Sequence, residues 1–240
     1  MLRKNFQWLS PALWIFILIV LTFNLQWLIP IFHFFAPQAN TTIYPRSDMF
    51  SLLVQHILLV TVASFIAIFI GLIVGIITTR PKWQDFLPLA IRVSSVGQTF
   101  PPIVVLALAV PLFGFGNIPT ALALIIYSVL PIFANTIAGI QSVDPAVLDA
   151  AKGMGMTERQ ILFQVELPLA KEIILAGIRS SVTITIATAA MGSTVGSNTL
   201  GDPIIAGLIN YNIAFIVQGS LLIGLLAISV DSIFEYFSKQ

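Results

Sequence analysis

The 240-residue chain contains no cysteine, only two histidines, and charged residues at 9% of the total. Without thiols it has no disulfide, no thiolate nucleophile and no Cys-ligated metal site, although that absence identifies no compartment. His33 and His56 stand alone within or beside apolar stretches. Neither has metal-ligand spacing, and no nucleophile or acid has a base nearby, so both read as packing residues and an enzyme active site is not indicated. No G-x-x-x-x-G-K-[ST] phosphate loop occurs; "KGMGMT" is glycine-rich but lacks the terminal lysine. The net charge of +1, with cations scattered in ones and twos, gives no electrostatic footprint for nucleic acid.

What fills the chain instead is apolar: 58% of its residues are hydrophobic, whereas soluble domains carry about a quarter charged residues. The composition is that of an all-α polytopic membrane protein, because a helix satisfies its own backbone in hydrocarbon and needs about 20 apolar residues to cross. Six segments qualify, at about 12–35, 52–79, 93–113, 118–140, 172–194 and 206–234. Trp8, Trp14 and Trp27 flank or punctuate the first as interfacial anchors. That segment is long and lacks a small-x-small cleavage site, so it reads as retained rather than as a signal peptide.

With a cytoplasmic N terminus and six crossings, Arg3, Lys4, Arg80, Lys82, Arg92, Lys152, Arg159, Lys171, Arg179 and Lys239 fall on the cytoplasmic side. Only Arg46 of the eleven cations falls outside, as the positive-inside rule requires. Both termini are then cytoplasmic, and the outer loops are short. The expected organisation is one transmembrane domain over 1–240: an N-terminal helix and outer loop at 1–50, then a core at 51–240 with a cytoplasmic loop at 141–170. Gly71 with Gly75, and Gly192 with Gly196, are small-xxx-small pairs that allow helices to approach. Pro101, Pro102, Pro111 and Pro131 remove backbone donors at depth, which points to kinked packing or a wet cavity.

The cytoplasmic loop is the longest polar passage. Asp144-Pro145 is a helix start, with the carboxylate accepting from an orphan amide and proline at the first helical position. In "PAVLDAAK", Val147, Ala150 and Ala151 fall on one helical face that another protein can approach, with Asp149 beside it. Gly153 and Gly155 around Met154 permit a sharp turn. Thr157 with Gln160 fits a capping box that starts a second helix, and Pro168 marks a bend into the fifth segment.

The spacing Asp149-Ala150-Ala151, three residues, Gly155, nine residues, Val165-x-Leu167-Pro168 resembles the EAA motif, E-A-A-x3-G-x9-I-x-L-P, of the permease subunits of bacterial ABC importers. Asp stands for Glu and Val for Ile, each keeping the chemical character. From about Gln55 onward the chain is similar to permeases of the osmoprotectant (glycine betaine, choline, carnitine) branch. The stretches that carry this are "VGQTFPPIVVLALAVPLFGFG", "YSVLPIFANTIAGIQSVDPAVLDAAKGMGMT", "VELPLAKEIILAGIRSSV" and "STVGSNTLGDPIIAGL".

The resemblance implies a type I ABC importer permease fold with about six transmembrane helices and a cytoplasmic coupling helix, in the bacterial inner membrane. The coupling loop, with Asp144, Pro145, Val147, Asp149, Ala150, Ala151, Lys152, Gly153, Gly155, Met156, Thr157 and Pro168, would dock on a separate ATP-hydrolysing subunit. ATP and Mg would be bound there, with no cofactor and no metal on this chain. The other implied partners are a periplasmic or lipid-anchored solute-binding protein, a second permease subunit, identical or related, and membrane lipid. Asn198, Leu200, Gly201 and Asp202 in the outer "GSNTLGDP" are expected to meet the binding protein. Hydroxyl and amide side chains at Gln98, Thr99, Asn135, Ser181, Thr185 and Thr188 are candidates for lining a solute path. Alternatives are an ABC permease for another small polar solute such as an amino acid, or an ATP-independent secondary transporter. The latter is disfavoured by the absence of Asp and Glu from the centres of the segments.

Overall fold

Long apolar runs with few charges fold as helices here, and the computed structural model, which describes residues 9–39 and 41–238, has no strand among them. The expected anchors and charges at Arg3, Lys4, Trp8 and Lys239 lie outside the described residues. In chain order the helices are α1 (Leu9–Phe23), α2 (Ile29–Phe35), α3 (Met49–Thr78), α4 (Leu87–Gly97), α5 (Pro102–Phe113), α6 (Asn117–Gln141), α7 (Pro145–Gly153), α8 (Glu158–Ile161), α9 (Leu167–Ala189), α10 (Asp202–Ile209) and α11 (Ile213–Ser238). Four uninterrupted helical runs are long and apolar enough to cross a membrane: Met49–Thr78, Asn117–Gln141, Glu158–Val195 and Ile213–Ser238. The number rises to six if each of two broken pairs counts as one span.

Three of the six expected segments differ from a plain span, and local chemistry accounts for each. The first is bent by 88° between Leu9–Phe23 and Leu25–Phe35. Asn24 leaves helical geometry at φ −128°, ψ 36°, and its side-chain amide bonds the Val20 carbonyl at 2.9 Å, in competition with the helix ladder. The third is broken between Gly97 and Pro102. A residue before proline is pushed out of the helical region, so two successive prolines end one helix and Pro102 opens the next. The sixth begins later than expected: residues 206–209 belong to α10, and the span is α11. Between them Asn212 turns its Oδ1 onto the Ala214 amide at 3.1 Å, an N-cap that restarts the helix.

The fifth segment departs in the opposite sense. The helix does not break at Pro168. The helical run is continuous from Glu158 to Val195, 38 residues, with a π turn at Leu162–Glu166 in which the Leu167 amide bonds the Leu162 carbonyl. Proline has no amide to donate, and its ring clashes with the carbonyl four residues back in a regular helix. Widening the preceding turn removes that conflict and keeps the rod unbroken.

The chain divides into two compact units that are not contiguous in sequence: residues up to 63 with 102–124 and those from 183 onward, and 64–101 with 125–182. In the first, α11 packs against α1, α2 and α10. His56 on α3 is wholly buried. Its Nε2 lies 3.0 Å from the Ile186 carbonyl, and its Nδ1 accepts from the Leu200 amide at 3.3 Å, which fixes a neutral ring protonated at Nε2. Gln218 on α11, also fully buried, donates to the Thr42 and Ala214 carbonyls and accepts from the Tyr44 amide. Gly192 fits against Thr120, whereas Gly196 has open space and a φ of +80°, so it ends the helix instead of packing it.

In the second unit small residues bring backbones together. A Cβ on Gly71 would sit 2.8 Å from the Ile132 side chain, and one on Gly75 2.7 Å from Thr136. α3 and α6 therefore meet along the first small-xxx-small pair. Gly139 and Gly177 admit Ala170 and Asn135 in the same way, closing α6 on α9.

Candidate functional site

The 144–168 segment is built almost wholly by neighbours in sequence. Asp144 caps α7, its Oδ1 taking the Ala146 amide at 2.8 Å, with Pro145 in the first turn. At the other end the Gly155 amide bonds the Lys152 carbonyl at 2.9 Å and the Met156 amide the Ala151 carbonyl at 3.2 Å. Gly155 has φ +79°. These are the two bonds and the left-handed residue of a Schellman closure, which a side chain at Gly155 would strain. Gly153 is different: it is the last residue of α7 with an ordinary φ, so only one of the two glycines makes the turn. Thr157 and Gln160 form the reciprocal capping box, with the Thr157 amide 2.8 Å from Gln160 Oε1 and the Gln160 amide 3.3 Å from Thr157 Oγ1.

The outward face of α7 differs from the expected one. Ala151 is 2% exposed and turns inward, whereas Val147, Ala150 and Met154 are exposed. Positions 147, 150 and 154 follow the i, i+3, i+7 pattern of a single stripe. Met154 went unnoticed in the sequence because its flanking glycines mark a turn. Asp149 is exposed beside the stripe, 3.6 Å from Lys152 Nζ, a surface pair that adds little to stability. Pro168 stands in the first turn of α9, beneath the π turn.

An ion pair that the sequence did not disclose sits at the base of this segment. Arg80 Nη2 lies 2.6 Å from Glu166 Oε2 with both side chains mostly covered. Arg80 also bonds the Thr79 hydroxyl at 3.0 Å and the Ile76 carbonyl at 3.3 Å, so one guanidinium closes the end of α3 and holds the π turn. Glu166 Oε2 has no hydrogen bond besides this ion pair. The available signal was a lone carboxylate inside "LFQVELPLA", at the unspecified position of the Val-x-Leu-Pro motif.

The six candidate path residues divide between the two units, with Gln98, Thr99, Asn135 and Ser181 in one and Thr185 and Thr188 in the other. Ser181 is buried, donating to the Ser128 carbonyl at 2.7 Å. Asn135 bonds the Pro131 carbonyl at 2.9 Å against Gly177. Gln98 and Thr99 are exposed at the break after α4, and the Gln98 carbonyl receives the Tyr127 hydroxyl at 3.4 Å. Thr185 is buried, and Thr188 lines a small cavity with Thr120 and Gly192.

The outer loop is likewise reordered. Of the four residues assigned to a partner surface, Asn198 is exposed and Asp202 half-buried, but Leu200 is fully buried and Gly201 is packed on the Ala190 backbone. Burial raises the Asp202 carboxyl above its usual range, opposed by hydrogen bonds from Ser193 and Thr199. No cluster of three or more His, Cys, Asp or Glu fit to hold a metal occurs among the described residues.

Comparison with known proteins adds three findings. Residues 67–240 match the family model described as "Binding-protein-dependent transport system inner membrane component". Curated relatives include the osmoprotectant import permease protein OsmY of Salmonella typhimurium, 35% identical over 80% of this chain and 82% of its own length. The choline transport system permease protein OpuBB of Bacillus subtilis is 37% identical over 78% and 85%, and the carnitine transport permease protein OpuCB of Listeria monocytogenes is 38% identical over 74% and 80%. Among solved structures the chain is similar to the MetNI methionine ABC transporter in an inward-facing conformation, with TM-score 0.71 and 20% identity over 81% of this chain and 98% of that one. It is also similar to an amino acid ABC transporter, with TM-score 0.67 and 22% identity over 79% and 92%.

Proposed function

Because the chain belongs to the family of binding-protein-dependent transport system inner membrane components, a membrane family whose type I importer fold it shares, we propose that it is the permease subunit of an ATP-driven importer of a compatible solute. Glycine betaine or a related quaternary ammonium compound is the solute that its relatives' names support, since those names give choline, carnitine and, for a further Bacillus subtilis permease, glycine betaine. A separate binding protein delivers it, a second permease subunit completes the pathway, and both chain ends are cytoplasmic.

The observation that carries the reading is the capped, Schellman-closed α7 mounted on an unbroken 38-residue helical run. Its exposed stripe Val147–Ala150–Met154, with Asp149 at the edge, is the surface offered to the ATPase. Closure of two ATPases on ATP displaces this knob, and the rod from Glu158 to Val195 transmits the displacement because its π turn absorbs Pro168 without a joint. The Arg80–Glu166 ion pair carries the same displacement to the end of α3.

The test is uptake of radiolabelled glycine betaine into proteoliposomes holding this chain with its neighbouring-gene ATPase and binding protein. The expected result is uptake that requires internal ATP and is lost in Asp149→Lys, with the variant chain still inserted. ATP-dependent uptake of an amino acid instead would keep the importer and discard the solute. Uptake by this chain alone without ATP would point to a secondary transporter.

A further inference from the structure

A cavity of about 680 Å³ opens between the 35–46 loop and the turn from α10 to α11. Its size falls within the range of small-molecule sites, and nothing in the coupling or spanning elements requires it. Four aromatic residues line it, Phe35, Tyr44, Tyr211 and Phe215, with Tyr44 and Phe215 edge to face at 5.6 Å. Arg46 lines the same cavity and has no salt-bridge partner within 4.0 Å among the described residues.

Two observations mark the cavity as built. The 41–44 strand of chain that forms its wall is tied by buried amides, Asn212 to the Thr41 carbonyl at 2.9 Å and Gln218 to both Thr42 and Tyr44. Its shape therefore precedes any ligand. Tyr211 has φ 55°, a left-handed geometry that a bulky aromatic adopts only at a cost, and the residue is 95% exposed. A glycine or asparagine would make that turn more cheaply. Tyr211 stands exposed at the cavity rim, and strain of this kind collects at ligand sites.

We propose that this cavity is a receiving site for a small zwitterion carrying a quaternary ammonium and a carboxylate, with the Phe35, Tyr44 and Tyr211 rings facing the ammonium and Arg46 holding the carboxylate. The proposal rests on the importer reading above and adds to it a solute site on the permease itself. Aromatic faces attract quaternary ammonium through their quadrupole, and a guanidinium holds a carboxylate by paired charged hydrogen bonds. Burial, with the negative charge of Asp202, raises the Tyr44 phenol while Arg46 opposes this. The phenol thus keeps its proton.

The experiment is equilibrium binding of radiolabelled glycine betaine to the purified permease–ATPase complex in nanodiscs without binding protein, alongside ATP-driven uptake by the complete importer from the same preparation. Saturable binding is expected, displaced at least tenfold less well by choline, which lacks the carboxylate. It is lost in Arg46→Gln, lost in Tyr211→Ala and retained in Tyr211→Phe. ATP-driven betaine uptake without saturable binding, or binding that Arg46→Gln and Tyr211→Ala leave unchanged, would overturn the site and leave the importer standing. Loss of uptake in Arg46→Gln with no betaine binding in the wild type would mark the cavity as a contact for the binding protein and equally overturn it. Absence of both binding and uptake in the wild type would overturn the site together with the assigned solute.

Discussion

The 41–56 region and the 144–168 region solve the same problem, fixing irregular backbone beside long helices, by opposite means. In the former, bonds reach across more than a hundred positions: Asn212 to Thr41, Gln218 to Thr42 and Tyr44, and His56 to Ile186 and Leu200. In the latter, nearly every bond spans two to five positions, and one ion pair, Arg80–Glu166, supplies the distant tie. A region held from afar keeps its shape only while the surrounding helices do. A region held by its own neighbours travels as one piece, which suits an element that must move with a partner.

The contrast is tested most strongly at Gln218. Gln218→Ala removes the side chain that serves three backbone groups, and unpaired buried polar groups are costly. A loss of about 3 kcal/mol is expected, read as a lower thermal midpoint in detergent and faster amide exchange confined to 41–46. Equal exchange at 144–168 would contradict the division. Next, Arg80→Ala leaves the Glu166 carboxylate covered and unpaired, at about 2 kcal/mol given its partial exposure. Adding Glu166→Gln should recover much of that loss, whereas no recovery would mean that the pair is not the tie.

Gly155→Val forces a β-branched residue into left-handed geometry at about 1–2 kcal/mol. Its midpoint is expected to fall less than that of Gln218→Ala, yet ATP-dependent uptake should drop at least tenfold, because the closure of α7 is lost. A variant with normal uptake would remove the knob from the mechanism. Smallest of all, Lys152→Ala breaks only an exposed pair and is expected to change stability by no more than about 0.5 kcal/mol. A larger shift by denaturant titration would show that Asp149 is held more firmly than its exposure indicates.

The same contrast explains what could be read in advance. Caps, the left-handed glycine and the capping box are short-range chemistry, so Asp144, Gly155 and Thr157 were legible from their immediate neighbours. The first glycine pair also named its role correctly, since Gly71 and Gly75 lie on one face of one helix. The Gln218 and His56 ties were not legible, because a lone polar residue in an apolar run does not disclose which distant carbonyl it will meet. Burial of Leu200 and Gly201 depended on such a tie, through His56, so a polar-looking loop hid a packed interior. Pro168 did not end the helix, because the rule assumes a regular preceding turn and the chain widened that turn instead.

That widened turn fixes azimuth as well as continuity. Each residue advances an α-helix by about 100° around its axis, and the π turn at Leu162–Glu166 accommodates one residue beyond the regular count. The turn takes up that residue locally, so the α7 knob keeps the azimuth that a regular rod one residue shorter would give it. Deleting a single residue between 162 and 166 would leave a regular turn and a knob facing nearly the same way, but with the Pro168 ring set against the carbonyl four residues back. Inserting one residue in the regular turns that follow would instead swing the knob about the axis by about 100°.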